Sequence, residues 1–421
     1  MKEGRAIMAA DNGAPAALED IQATGALIDK VEALARLCST LQGASQRVST
    51  ESGLNRSRLG AALAEALLAR QALEVEARAL ALVGYRAAAR PLARPRRYNR
   101  IARRVDNVLD RLGSIGRALV IARSGLWRSS DGRVARLRAM AAYARRGGDP
   151  ALQPPALFDQ DWYLRARADL SGGRASPLAH YLLHGAGEGV DPHPLFDTEF
   201  YRQQNAAQLG ETGLTPLEHF VRVGAGEGRD PHPLFDVAYY VRQAPDLIAS
   251  GENPILHYVR EGATRGLSPH PLFAADYYAD QVARSGEGGA PSLIHYLAVG
   301  SRDGLKPHPL FDPAWYRGRY PDADASGREP LVHFLVAGGF EGRSPGPWFD
   351  TARYVAQRVE GLPPGCNPLV DYLQGGAWRI SEPWLGCPDA GFLDLAAEFA
   401  GRPLTPLELW ARRGGDQTPS A

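Results

Sequence analysis

The feature that most constrains this chain is a sequence period. The tripeptide Leu157-Phe158-Asp159 recurs at Leu195-Phe196-Asp197, Leu234-Phe235-Asp236, Leu272-Phe273-Ala274, Leu310-Phe311-Asp312 and Trp348-Phe349-Asp350, so successive steps are 38, 39, 38, 38 and 38 residues. A second anchor keeps the same rhythm at Leu178, Leu217, Ile255, Leu293, Leu331, Leu369 and Leu407. Two anchors locked to one period define about six and a half copies of one unit. A unit this short cannot bury its apolar face alone, so neighbours must stack.

Each unit carries helix punctuation. The anchor aspartate can cap the first turn of a helix by accepting from an orphan amide. An aromatic pair follows, at Trp162-Tyr163, Phe200-Tyr201, Tyr239-Tyr240, Tyr277-Tyr278 and Trp315-Tyr316. Aromatics fixed to one repeat slot are expected in the core, with a sugar-stacking groove as the alternative. A second helix opens at Ser176-Pro177, Thr215-Pro216, Asn253-Pro254, Asn367-Pro368 and Thr405-Pro406, because proline suits the first helical position. Gly185, Gly224, Gly262, Gly300 and Gly338 read as left-handed helix stops. Pro-His-Pro crossings then lead to the next anchor, and paired prolines forbid a continuous helix there. The one extra residue of the second unit is expected in a loop over 208–215. The fold class expected is all-α: an N-terminal helical hairpin and basic helices, then an α-solenoid-like array of two-helix units.

All ten histidines lie inside the repeats. Five share one slot: His180, His219, His257, His295 and His333. Four sit in the crossings, His193, His232, His270 and His308, and His184 is the remaining one. Histidine is a common metal ligand, but one unit does not supply the three or four ligands that zinc needs. The slot is therefore expected to join two segments by hydrogen bonds, and Asp371 and Leu409 in the last unit point to the same structural use. No catalytic, cofactor-binding or metal residue is assigned. Asp322-Ala-Asp324 has the form of a transferase metal motif, but Pro321-Asp322 shares its slot with Pro245-Asp246 and belongs to the repeat. No phosphate-binding, nucleophile-elbow or zinc-protease motif occurs.

Five regions are expected: a disordered start over 1–19, a helical hairpin or coiled-coil-like segment over 20–85, a basic amphipathic segment over 86–150, the repeats over 151–385, and a degraded capping repeat and tail over 386–421. Residues 86–146 hold 17 arginines against three aspartates, which gives 17 − 3 = +14 in a chain whose net charge is +1. Arg94, Arg96, Arg97, Arg100, Arg103 and Arg104 are the densest part and the candidate polyanion-binding set. An anionic membrane surface is one expected partner and internal docking on the acidic remainder is the other reading; nucleic acid is disfavoured for want of a recognition motif. The opening residues carry no apolar secretory stretch and three scattered cysteines make no disulfide framework, so a cytoplasmic location is expected, with peripheral attachment to the inner membrane as an option.

The unit Leu-Phe-Asp-x-x-Trp-Tyr … Pro-Leu-x-His-Tyr/Phe … Gly-x-x-x-Gly-x-x-Pro-His-Pro resembles repeats of bacterial glycosyltransferases and surface-polysaccharide biosynthesis proteins, over Pro155 to about Trp410. Similar units occur in some large secreted bacterial proteins. The stretch from Tyr85 to Arg94 is weakly similar to linkers preceding such arrays. The resemblance implies a place in glycan assembly, and it carries over no catalytic residue because the catalytic domain is missing here. The expected function is a non-catalytic scaffold that meets a protein or glycan through the array and self-associates through its N-terminal helices. The alternatives are a glycosyltransferase or transferase subunit, and a polyanion- or membrane-binding protein.

Overall fold

The computed structural model describes residues 53–89, 113–127, 132–146, 157–170, 176–285, 292–379 and 404–412, together with Ala33, Arg36 and Leu385. The fold is all-α; among the described residues the only β features are isolated bridges inside turns, such as His193 with Phe196. The expected disordered start, the first arm of the hairpin and Arg94, Arg96, Arg97, Arg100, Arg103 and Arg104 lie outside the described residues, apart from Ala33 and Arg36.

The anchor aspartates start the first helix of five units. Asp159, Asp197, Asp236, Asp312 and Asp350 accept from the amides of Trp162, Phe200, Tyr239, Trp315 and Arg353 at 2.9, 2.8, 2.8, 2.9 and 3.0 Å. These helices include Gln160–Ala166, Thr198–Gln204 and Val237–Arg242. The unit is more than two helices. A short additional helix follows in three units, Ala206–Thr212, Pro245–Ser250 and Pro321–Ala325. The first of these replaces much of the loop expected over 208–215, and Gly213 ends it in the left-handed conformation at φ 68°.

The second helix opens as a single α turn and widens at once into a π turn, as in Pro216–His219 followed by Phe220–Gly224. The amides of Ala186, Ala225, Ala263, Ser301 and Gly339 donate five residues back, at 2.8–3.0 Å. The stop comes later than expected. Gly185, Gly224, Gly262, Gly300 and Gly338 do not adopt positive φ; Gly189, Gly228, Gly266, Gly304 and Gly342 do, at 68–79°. Those five form Schellman closures, with Val190 donating to Gly185 O at 2.9 Å and its counterparts alike.

Each unit is closed by its crossing. The amides of Asp159, Asp197, Asp236, Ala274 and Asp312 donate to the Pro192, Pro231, Pro269, Pro307 and Pro345 carbonyls at the end of the same unit, at 2.9–3.1 Å. These bonds need only backbone, so the one at Ala274 persists where the anchor has no aspartate.

The array begins earlier than its obvious anchors. We label Gly53–Ala88 α1, Gly113–Ser124 α2 and Arg133–Arg146 α3. Tyr143 of α3 precedes Tyr181 by 181 − 143 = 38 residues. Its hydroxyl accepts from Leu178 N at 3.2 Å, as Tyr258 and Tyr372 accept from Leu293 and Leu407 at 3.0 and 3.3 Å. Its ring meets Trp127 at 5.1 Å, as Tyr181 meets Phe158 at 6.0 Å. Trp127, which the sequence places beside arginines on a basic segment, is thus a buried core residue. Arg222 of the second unit donates to Ser124 O at 2.9 Å and to Arg123 O, placing a cation on the C-terminal end of α2.

Helix α1, 36 residues and about 54 Å long, packs on Val237–Arg242 and Pro245–Ser250 and also meets Gly376–Arg379. Arg78 lies 4.6 Å over the Tyr239 ring, Tyr85 donates to Glu252 O at 3.0 Å, and Arg86 donates to Glu227 O at 2.7 Å. At the other end, Pro406–Arg412 returns to the middle of the array: Arg412 pairs with Asp276 at 3.0 Å, and Glu408 meets His308 at 3.2 Å. One continuous buried cluster consequently runs from Ala81 to Leu407.

Candidate functional site

The shared histidine slot lies under a buried tyrosine in each unit. Tyr163, Tyr201, Tyr240, Tyr278 and Tyr316 place their hydroxyls 2.8, 2.8, 2.7, 2.7 and 3.0 Å from Nδ1 of His180, His219, His257, His295 and His333. In the last unit Tyr354 donates instead to Asp371, which also pairs with Arg358 at 3.0 Å. The glycines expected as helix stops complete this arrangement. A Cβ built at Gly185, Gly224, Gly262, Gly300, Gly338 or Gly376 would overlap the tyrosine hydroxyl. Their role is clearance for that oxygen. The five histidine-paired tyrosines stand edge-on to the aromatic that opens the π turn, 5.7–6.0 Å between centroids at 81–90°, and Tyr354 meets Tyr372 likewise at 5.6 Å. The other member of each aromatic pair, from Trp162 to Trp315, is only half-buried.

The crossing histidines are a second internal set. Nδ1 of His193, His232, His270 and His308 accepts from the amide two residues on, at 3.0–3.2 Å. Burial lowers His193 and His232 to about 4 and His270 to about 3, so these rings are neutral. A neutral ring accepting at Nδ1 carries its proton on Nε2.

Among the described residues one histidine cluster has metal-ligand spacing: Asp246, His257 and Glu261 bring three ligand atoms within 4.8 Å of one another. His257 Nε2 lies 2.8 Å from Asp246 Oδ2 and 3.5 Å from Glu261 Oε1. Arg265 reaches Asp246 at 2.9 Å and Arg260 reaches Glu261 at 2.5 Å. Both carboxylates are thus paired with guanidiniums, Arg260 being shared with Glu252 at 2.5 Å. The hydrogen bond from His257, then Arg265, holds the Asp246 carboxyl down to about 2. An ionised carboxylate only accepts, so Nε2–H donates to it and the Tyr240 hydroxyl donates to Nδ1. The trio is a proton-linked chain from core to surface. Asp322 of the discounted Asp322-Ala-Asp324 motif pairs with Arg343 at 2.6 Å in the equivalent slot.

The coil of the array also forms a half-open cleft of about 540 Å³ between its early and late units. It is lined by Trp162, Asp191 and Asp197 from the early units and by Arg302, Arg317, Asp324, Arg328 and Glu329 from the late ones. Arg165 lies 5.4 Å over one face of the Trp162 ring. Arg317 is held by Ser301 O at 2.7 Å, whereas Arg302 and Arg328 are solvent-exposed. Burial raises Asp191 to about 7, so its carboxyl can both donate and accept near neutrality; burial also raises Glu329, whose oxygens accept from Tyr296, Ser301 and the Val332 amide. A flat indole beside mixed donors and acceptors matches the chemistry of a polyhydroxylated ligand. The sequence signals for this cleft lie in different units about 150 residues apart, so no local pattern reveals it.

Among the described residues no helix is long and apolar enough to cross a membrane. Comparison with protein-family models, with curated proteins and with solved structures finds no match for this chain.

Proposed function

We propose that this chain is a non-catalytic scaffold of bacterial surface-polysaccharide assembly that holds a glycan segment in the cleft between its early and late units. The observation that carries this reading is where the recurring polar residues go. Tyrosine, histidine and glycine of each unit are engaged with one another in the interior, whereas Trp162, from the half-buried position of the aromatic pair, lines the cleft with the non-recurring Arg302 and Arg328. The glycan pathway comes from the resemblance of the repeat unit, and the polyol ligand from the cleft chemistry.

The test is calorimetric titration of the purified chain with neutral and uronic-acid-bearing oligosaccharides, beside a turnover assay with nucleotide sugars and divalent metal. Binding is expected and should fall on the order of tenfold in Trp162→Ala and in Arg302→Ala/Arg328→Ala. Metal-dependent turnover would overturn the scaffold reading; binding indifferent to these substitutions would overturn the assignment of the cleft.

A further inference from the structure

The outer faces of α2 and α3 combine two properties rarely left in water together. Ile115 and Leu119, one turn apart on α2, are 72% and 46% exposed, and Val134 and Leu137, one turn apart on α3, are 63% and 57% exposed. The inner faces are occupied: Val120, Ile121, Met140 and Tyr143 are buried, and α2 packs on α3 and on Pro177–His180 of the first unit. The pair is therefore fixed to the array with a defined outward side. Helix α3 carries Arg133, Arg136, Arg138, Arg145 and Arg146, α2 adds Arg117 and Arg123, and neither helix contains an acidic residue.

We infer that this face docks the protein on an anionic phospholipid surface. The arginines supply the charge complement to acidic headgroups, and the four aliphatic side chains supply what a soluble polyanion has no use for, insertion into the acyl boundary. Nucleic acid would engage the guanidiniums and leave the apolar residues in water. Docking here depends on neither the cleft nor its ligand, so this inference stands apart from the proposed function.

The experiment is flotation of the full chain with vesicles of phosphatidylcholine alone or mixed with phosphatidylglycerol, across a salt series. Binding should appear with the mixed vesicles, exceed that to neutral ones by on the order of tenfold, and weaken as salt rises. Leu119→Asp/Leu137→Asp alters exposed positions only; it should abolish flotation while leaving the circular dichroism and thermal midpoint unchanged. Equal binding to neutral vesicles overturns the inference. So does flotation that survives this double substitution and is lost on Arg94→Gln/Arg96→Gln/Arg97→Gln, which would place the contact on the upstream arginines. Binding of duplex DNA without flotation overturns it as well.

Discussion

At the scale of single residues, the repeat is specified by three side chains that meet at one point. A buried tyrosine hydroxyl needs a partner, histidine Nδ1 supplies it, and glycine leaves room for the oxygen. Asp371 shows that the slot requires an acceptor more than an imidazole. Gly300→Ala is expected to destabilise by about 2–3 kcal/mol through overpacking against Tyr278. Adding Tyr278→Phe removes the overlapping oxygen and should recover part of that loss, a coupling that denaturant unfolding of the double-mutant cycle reads directly. Additive losses would show that the glycine acts through its backbone alone. The histidine slot was legible in the sequence because two anchors fix its register. The glycine's role is not legible there, because helix closure and close approach select the same residue and only the backbone angle separates them.

At the scale of elements, local chemistry foretold much of each unit. Aspartate caps, Pro-initiated turns and Pro-His-Pro crossings all act within a few residues, so they are written locally. The π turn is not, because its widened hydrogen bonding has no sequence signature as plain as a cap. The leading unit was hidden for a related reason. Met140-Ala-Ala-Tyr143 keeps the apolar and aromatic positions of Leu178-Ala-His-Tyr181 but lacks the proline and histidine by which the other units are recognised. Helix α1 was legible as a helix, while its seat was not: its buried Ala77 and Ala81 meet partners distant in sequence. Ala81→Glu would bury an unpaired carboxylate there. Hydrogen exchange is expected to rise in 53–89 and in Val237–Ser250 together, while the first unit stays protected. Unchanged protection of Val237–Ser250 would mean that α1 is dispensable to the array.

At the scale of the whole molecule, α1 and the C-terminal helix turn a linear array into a coil tied across its turns. An open solenoid contacts only nearest neighbours; here Arg412 and Asp276 meet across 136 residues and Tyr85 reaches Glu252 across 167. The cleft lies between the early and late units of that coil, while the tyrosine, histidine and glycine of the shared slot stay in the interior. The measurement that bears most directly on this account is the thermal midpoint of single alanine variants at His180, His219, His257, His295 and His333, taken with oligosaccharide binding. Each variant strands a buried tyrosine hydroxyl at a cost of about 1–3 kcal/mol, so every midpoint is predicted to fall while affinity for the cleft ligand holds. Unchanged midpoints with lost binding would contradict the account and make the histidines a site.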